Sequence, residues 1–112
     1  MTDFEKFQKY FTHYQKLFGL TGYKVYFKHE SLEEDFANIT IAHMDAVATV
    51  RLNSVLQGKD VAHKDIKRSA RHEALHLLLG RIEGIAKRRY STADELYEAC
   101  EEAVHRLEEL IL

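Results

Sequence analysis

The segment that most restricts how this chain can fold is Arg71-His72-Glu73-Ala74-Leu75-His76-Leu77-Leu78-Leu79-Gly80. It is a His-Glu-x-x-His pattern with apolar residues in its gaps and behind it. On a helix, residues four apart share one face about a turn apart. His72 and His76 can therefore aim two imidazoles at one point, a spacing that suits a tetrahedral zinc ion. Glu73 lies about 100° round the helix from His72. That places it beside a coordinated water rather than in the ligand set, where it can accept the water's proton. In a chain with seven His, chance alone produces the pattern in roughly one case in twenty. The weight therefore falls on context, and the motif sits inside a segment with a helical, apolar back.

A length of 112 residues predicts one domain with a real core and no room for a second. The chain is 46% hydrophobic and 30% charged with a net charge of −2, which gives no global reason to expect a nucleic-acid or membrane partner. The single cysteine, Cys100, excludes an intrachain disulfide and fits a reducing compartment. No basic-then-apolar leader opens the sequence, and no apolar run approaches the roughly 18 residues of a spanning helix. The expected location is cytoplasmic. Proline is absent, and nothing reads as a linker, repeat or low-complexity tail.

Residues 3–18 read as a helix, with Phe4, Phe7, Phe11, Tyr14 and Phe18 recurring at steps of three and four and Tyr10 and Leu17 widening the stripe. Asp3 can cap its start and Gly19 suits a left-handed stop. Tyr23 to His29 reads as a strand. Phe36–His43 and Ala46–Leu52, either side of Met44-Asp45, read as an antiparallel hairpin. His29 and His43 read as exposed or hydrogen-bonded strand residues. The motif helix is expected to begin at Asp60 or His63 and to end near Leu79, with Ile66, Ala70, Ala74, Leu77 and Leu78 on its core side. Gly80 and Gly84 then break the pattern, leaving a loop from Arg81 to Tyr90. Basic residues flank the motif on both sides, which reads as a solvated face, or alternatively as a rim steering an acidic or nucleic-acid-bound partner. Thr92, with Glu95 three on, opens the last helix. Its apolar face is expected to contain Leu96, Cys100, Ala103, Val104, Leu107, Leu110 and Ile111.

A zinc ion that does chemistry takes three protein ligands and leaves one position open. The third is expected from the last helix, folded back against the motif helix, and Glu95, Glu101 and Glu102 lie on the flanks of its apolar face. His105, one turn beyond Glu101, is a rival ligand or a supporting partner.

The order of helix, three strands, His72-Glu73-x-x-His76 helix and acidic final helix resembles the minimal zincin (gluzincin-like) metallopeptidases. These include SprT-like proteins, ImmA/IrrE-type proteins and small phage-type metallopeptidases. Ala46 to Asn53 is similar to the strand those proteins run beside their active-site cleft. Glu101, followed by Val104 and Leu107, matches the ligand segment of the ImmA/IrrE type, and His105 stands where that family has Asn. The resemblance implies an α+β, zincin-like fold with an N-terminal helix, a three-stranded mostly antiparallel sheet, a motif helix and a ligand-bearing C-terminal helix. It implies a Zn²⁺ ion held by His72, His76 and Glu101, with Glu73 as general base in the hydrolysis of a protein or peptide. A substrate strand would add to a sheet edge near Ala46–Leu52, and Tyr90 or His105 would steady the oxyanion. The alternative is a domain of the same fold that recognises a protein partner without turnover.

Overall fold

The computed structural model describes residues 1–55 and 65–110. Helix α1 spans Asp3–Leu17 and its N-cap is Thr2, not Asp3: Thr2 Oγ1 accepts from the Glu5 N–H at 3.1 Å while Glu5 Oε1 accepts from the Thr2 N–H. This reciprocal box satisfies two donors that a helix start otherwise leaves open. The aromatic stripe buries Phe7, Phe11, Tyr14 and Phe18, whereas Leu17 faces solvent. Gly19 takes the left-handed conformation (φ 71°) that stops the helix. Buried Gln15 ties the following turn down by donating from Nε2 to the Leu20 and Tyr23 carbonyls.

Strands β1 (Lys24–Glu30), β2 (Ala37–Ala42) and β3 (Val47–Asn53) form one sheet in the order β1-β3-β2. The hairpin between β2 and β3 is antiparallel as expected, with Ile39 opposite Val50, and turns through a 3-10 segment at His43–Asp45 that Ala46 closes at φ 53°. β1, however, pairs with β3 in parallel, with Phe27 opposite Val50. The sheet is therefore mixed rather than mostly antiparallel. β3 takes the centre because it has the most to bury: Ala48, Val50 and Leu52 all face the helices. Its alternate residues face solvent with polar partners, Arg51 donating to Asn38 and Thr40 and pairing with Glu30. A central strand has no free edge, so the Ala46–Leu52 segment cannot accept a further strand.

Helix α2 spans Ile66–Lys87 and helix α3 spans Ala93–Glu108. The Asp65 carboxylate caps α2 by accepting from the Arg68 N–H; the starts expected at Asp60 or His63 lie outside the described residues. α2 does not stop at Leu79 but continues through Gly80 and Gly84, eight residues or about 12 Å further. Ala70, Ala74, Leu77 and Leu78 are its buried side, packed with α1 on the inner face of the sheet. Thr92 caps α3, accepting from the Glu95 N–H. α3 buries Ala99 and Ala103 and packs Leu107 against the core, as expected for Ala103 and Leu107, while Leu96, Val104 and Leu110 are exposed, Cys100 is half-buried and Ile111 lies outside the described residues. Arg106 Nη1 donates to the Phe18 and Gly19 carbonyls at 2.9 and 2.6 Å, so α3 closes the C-terminal end of α1. No helix among the described residues is long and apolar enough to cross a membrane.

Candidate metal centre

The register of α2 follows from its apolar back. With Ala70, Ala74, Leu77 and Leu78 turned to the core, His72 and His76 must emerge on the flank that faces β2. There they line a cleft of about 600 Å³ between α2 and the outer strand, a size within the range of small-ligand and peptide sites. His72 Nε2 and His76 Nε2 face one another at 3.2 Å, their rings nearly perpendicular at 81°. At this distance one ring can donate to the other, or both lone pairs can serve one cation. Two nitrogens about 2.0–2.1 Å from a tetrahedral zinc are about 3.3 Å apart, so the pair fits as a bidentate donor set.

His76 turns its other nitrogen toward a carboxylate, with Nδ1 4.0 Å from Glu83 Oε1. That is the side on which a ligating histidine is commonly oriented by an acid. Glu73 opens on the same cleft but is only 5% exposed. Burial pushes its carboxyl above the ordinary carboxylate range; the nearby His76 opposes the shift and the Asp35 carboxylate adds to it. β2 forms the opposite wall from Ala37 to Ile41, and among the described residues it pairs only with β3, so its other edge is open.

The structure brings His72, Glu73 and His76 together and leaves Glu101 outside the cleft lining. The Glu101 carboxylate stands 3.7 Å from His105 Nε2 on α3, and His105 also faces Glu108 at 3.6 Å. The cause is the added length of α2. Because the chain reverses only after Lys87, Glu102 meets Arg81, five residues past His76 and about 140° round the helix from it. Arg81 and Arg106 bond the Glu102 carboxylate and hold it below its ordinary range even though burial alone would raise it. Glu95 pairs with Arg88. Among the described residues no group of three His, Cys, Asp or Glu is arranged to hold a metal ion. Tyr90 is 82% exposed and, with His105, lies off the cleft.

Of the acidic and histidine residues lining the cleft, three escaped sequence reasoning: Asp35, His43 and Glu83. Only His43 had a signal, in the spacing of Gly80 and Gly84, since paired helical glycines mark a close approach. His29 lies elsewhere, stacked on Phe4 at 4.8 Å between ring centroids. Comparison of the chain with protein-family models, curated proteins and solved structures finds no match.

Proposed function

We propose that the cleft between α2 and β2 is the site of a zinc-dependent peptidase of the minimal zincin kind. The observation that carries this reading is the facing pair of His72 and His76 nitrogens, 3.2 Å apart, beside a buried glutamate. His72 and His76 would hold the metal, and the carboxylates lining the same cleft are Glu73, Asp35 and Glu83. When bound, zinc would supply the acidification of a water molecule, lowering its pKa toward neutrality.

The remaining work belongs to the chain. An extended peptide adds to the open edge of β2, where main-chain hydrogen bonds fix its register. Glu73, with its proton affinity raised by burial, takes a proton from the water and passes it to the departing amine nitrogen. Ile39 and Ile41 give that wall an apolar surface that limits water around the reacting bond.

Zinc binding by equilibrium dialysis, together with cleavage of unfolded casein, tests the reading. His72→Ala and His76→Ala should each lose the metal, and Glu73→Gln should keep it and lose cleavage. A wild-type chain that binds no zinc, or a Glu73→Gln rate equal to wild type, would sink it. One observation favours a second reading, in which the domain grips a peptide strand without cutting it: no third donor is in place beside the histidines among the described residues. Zinc uptake with peptide binding but no turnover would select that reading.

A further inference from the structure

The cleft is longer than a metal site requires, and its charges are ordered along it. Glu83 and Lys87 follow His76 on α2 by about 10 and 16 Å of helix rise, each within about 20° of the line through His76. All three side chains line the cleft. β2 runs in the same direction as α2. A Cβ on Gly80 would stand 2.9 Å from Ile41 Cδ1, and one on Gly84 would stand 3.2 Å from His43 Cδ2. At the other end of the strand, Ala37 shares a surface hollow with His72 and Glu73. The cleft is therefore a trough beside the strand edge, with the histidine pair toward one end and Lys87 at the other. Lys87 is exposed, and it is the only lysine or arginine among the described residues that line the cleft. Glu83, one turn before it, faces His76 instead. The next two basic residues are engaged elsewhere, Arg88 with Glu95 and Arg89 over the Tyr90 ring.

We propose that Glu83 and Lys87 read the charge order of the bound peptide, which rests on the reading above only for the peptide's place along β2. An extended chain advances about 3.3 Å per residue, so alternate side chains share a face at about 6.6 Å. Glu83 and Lys87 are about 6 Å apart along the helix, so two alternate residues of one strand meet both. The 10 Å between His76 and Glu83 corresponds to about three residues of strand. The substrate class is thus an extended segment with Lys or Arg about three residues from the histidine pair and Asp or Glu two residues further out. Both helix side chains are exposed, so each pair contributes modestly and salt weakens it. Two opposite charges on one line discriminate order rather than net charge, since a peptide with the same pair reversed meets two repulsions.

The test uses the 112-residue chain loaded with one equivalent of zinc and four dye-labelled peptides of alternating valine and threonine. Two carry a lysine and a glutamate on alternate residues with the acid outermost, one in the N-terminal half and one in the C-terminal half. The other two are their charge-swapped isomers. Fluorescence anisotropy at mixing gives affinity, and mass spectrometry follows cleavage. One acid-outermost peptide should bind about three- to tenfold tighter than its isomer at low salt. Lys87→Ala should bring that ratio below about twofold and Lys87→Arg should keep it. The paired swap of Glu83→Lys with Lys87→Glu should invert it, and circular dichroism should show the fold unchanged because both positions are exposed. Equal affinity of the isomers in both halves overturns the proposal, as does a ratio that survives Lys87→Ala or an absence of peptide binding. Charge-ordered binding without cleavage fails the peptidase reading and leaves this proposal standing; cleavage without charge order does the reverse.

Discussion

Gly80→Ala puts the close approach of α2 and β2 to a quantitative test. In the middle of a helix, replacing glycine with alanine ordinarily gains about 1 kcal/mol from backbone entropy. Here the new methyl would lie 2.9 Å from Ile41 Cδ1 and 3.0 Å from His43 Cε1, where carbon pairs rest at about 3.5–4.0 Å. Gly80 is itself buried. The atoms met are the end of the Ile41 side chain and the edge of the His43 ring, so relief takes a shift of both side chains on the cleft wall. Overpacking of this kind costs about 1–3 kcal/mol. The net expectation is a change between about zero and a loss of about 2 kcal/mol, or a fall in Tm of up to about 8 °C for a domain of this size, so the helix gain does not appear. Gly22→Ala is the control, because an added Cβ there meets nothing within 4 Å and the backbone is not left-handed. It should gain about 0.4–1 kcal/mol. Urea melts followed by far-UV circular dichroism give both values. A Gly80→Ala protein more stable than wild type by the full helix gain of about 1 kcal/mol would refute the claim that the helix is bare in order to admit β2 and its turn.

Three further outcomes follow from the same geometry. In metal-free protein, Glu73→Gln should raise Tm at pH 7–8. The folded carboxyl titrates above its ordinary value of 4.5, so wild-type stability falls as pH rises from there through the folded pKa, and the two proteins should converge below it. Equal Tm values at pH 8 would contradict the burial of a charged Glu73. Glu101→Ala should leave zinc affinity within about threefold, since α3 meets α2 away from the histidines; a tenfold loss in dialysis would return that helix to the ligand set. Asn53→Ala should cost about 2–4 kcal/mol in a urea melt, because its buried amide bonds the Leu32 and Asp35 carbonyls and the Leu32 and Val55 N–H groups. A cost under about 0.5 kcal/mol would mean those groups find other partners.

Periodicity made the elements legible where one face is buried. Phe7, Phe11 and Tyr14 marked α1, and Ala70, Ala74, Leu77 and Leu78 marked the core side of α2, which in turn fixed where His72 and His76 emerge. What failed was non-local. No local rule says that β1 will pass over β2 and join β3 in parallel, because strand order depends on which strand has most to bury. Gly80 and Gly84 looked like a helix end, since their cost is visible in the sequence and the compensating contact with Ile41 and His43 is not. That one misreading moved the reversal of the chain by two turns and carried Glu101 away from the expected ligand position. Tertiary packing decides such boundaries, and it leaves Ala99 and Ala103 buried on α3 while Leu96 and Val104 stay exposed.

The clasp between Arg106 and the Phe18 and Gly19 carbonyls spans 88 positions of sequence. At a translation rate of about 5–20 residues per second, the first helix waits roughly 4–18 s for its guanidinium after it is made. Until α2 is made, partway through that interval, the phenylalanines of α1 lack the helix they pack against. A chain stopped just before codon 106 keeps α2 but leaves the Phe18 and Gly19 carbonyls without their guanidinium, and should melt at a lower temperature than the full chain.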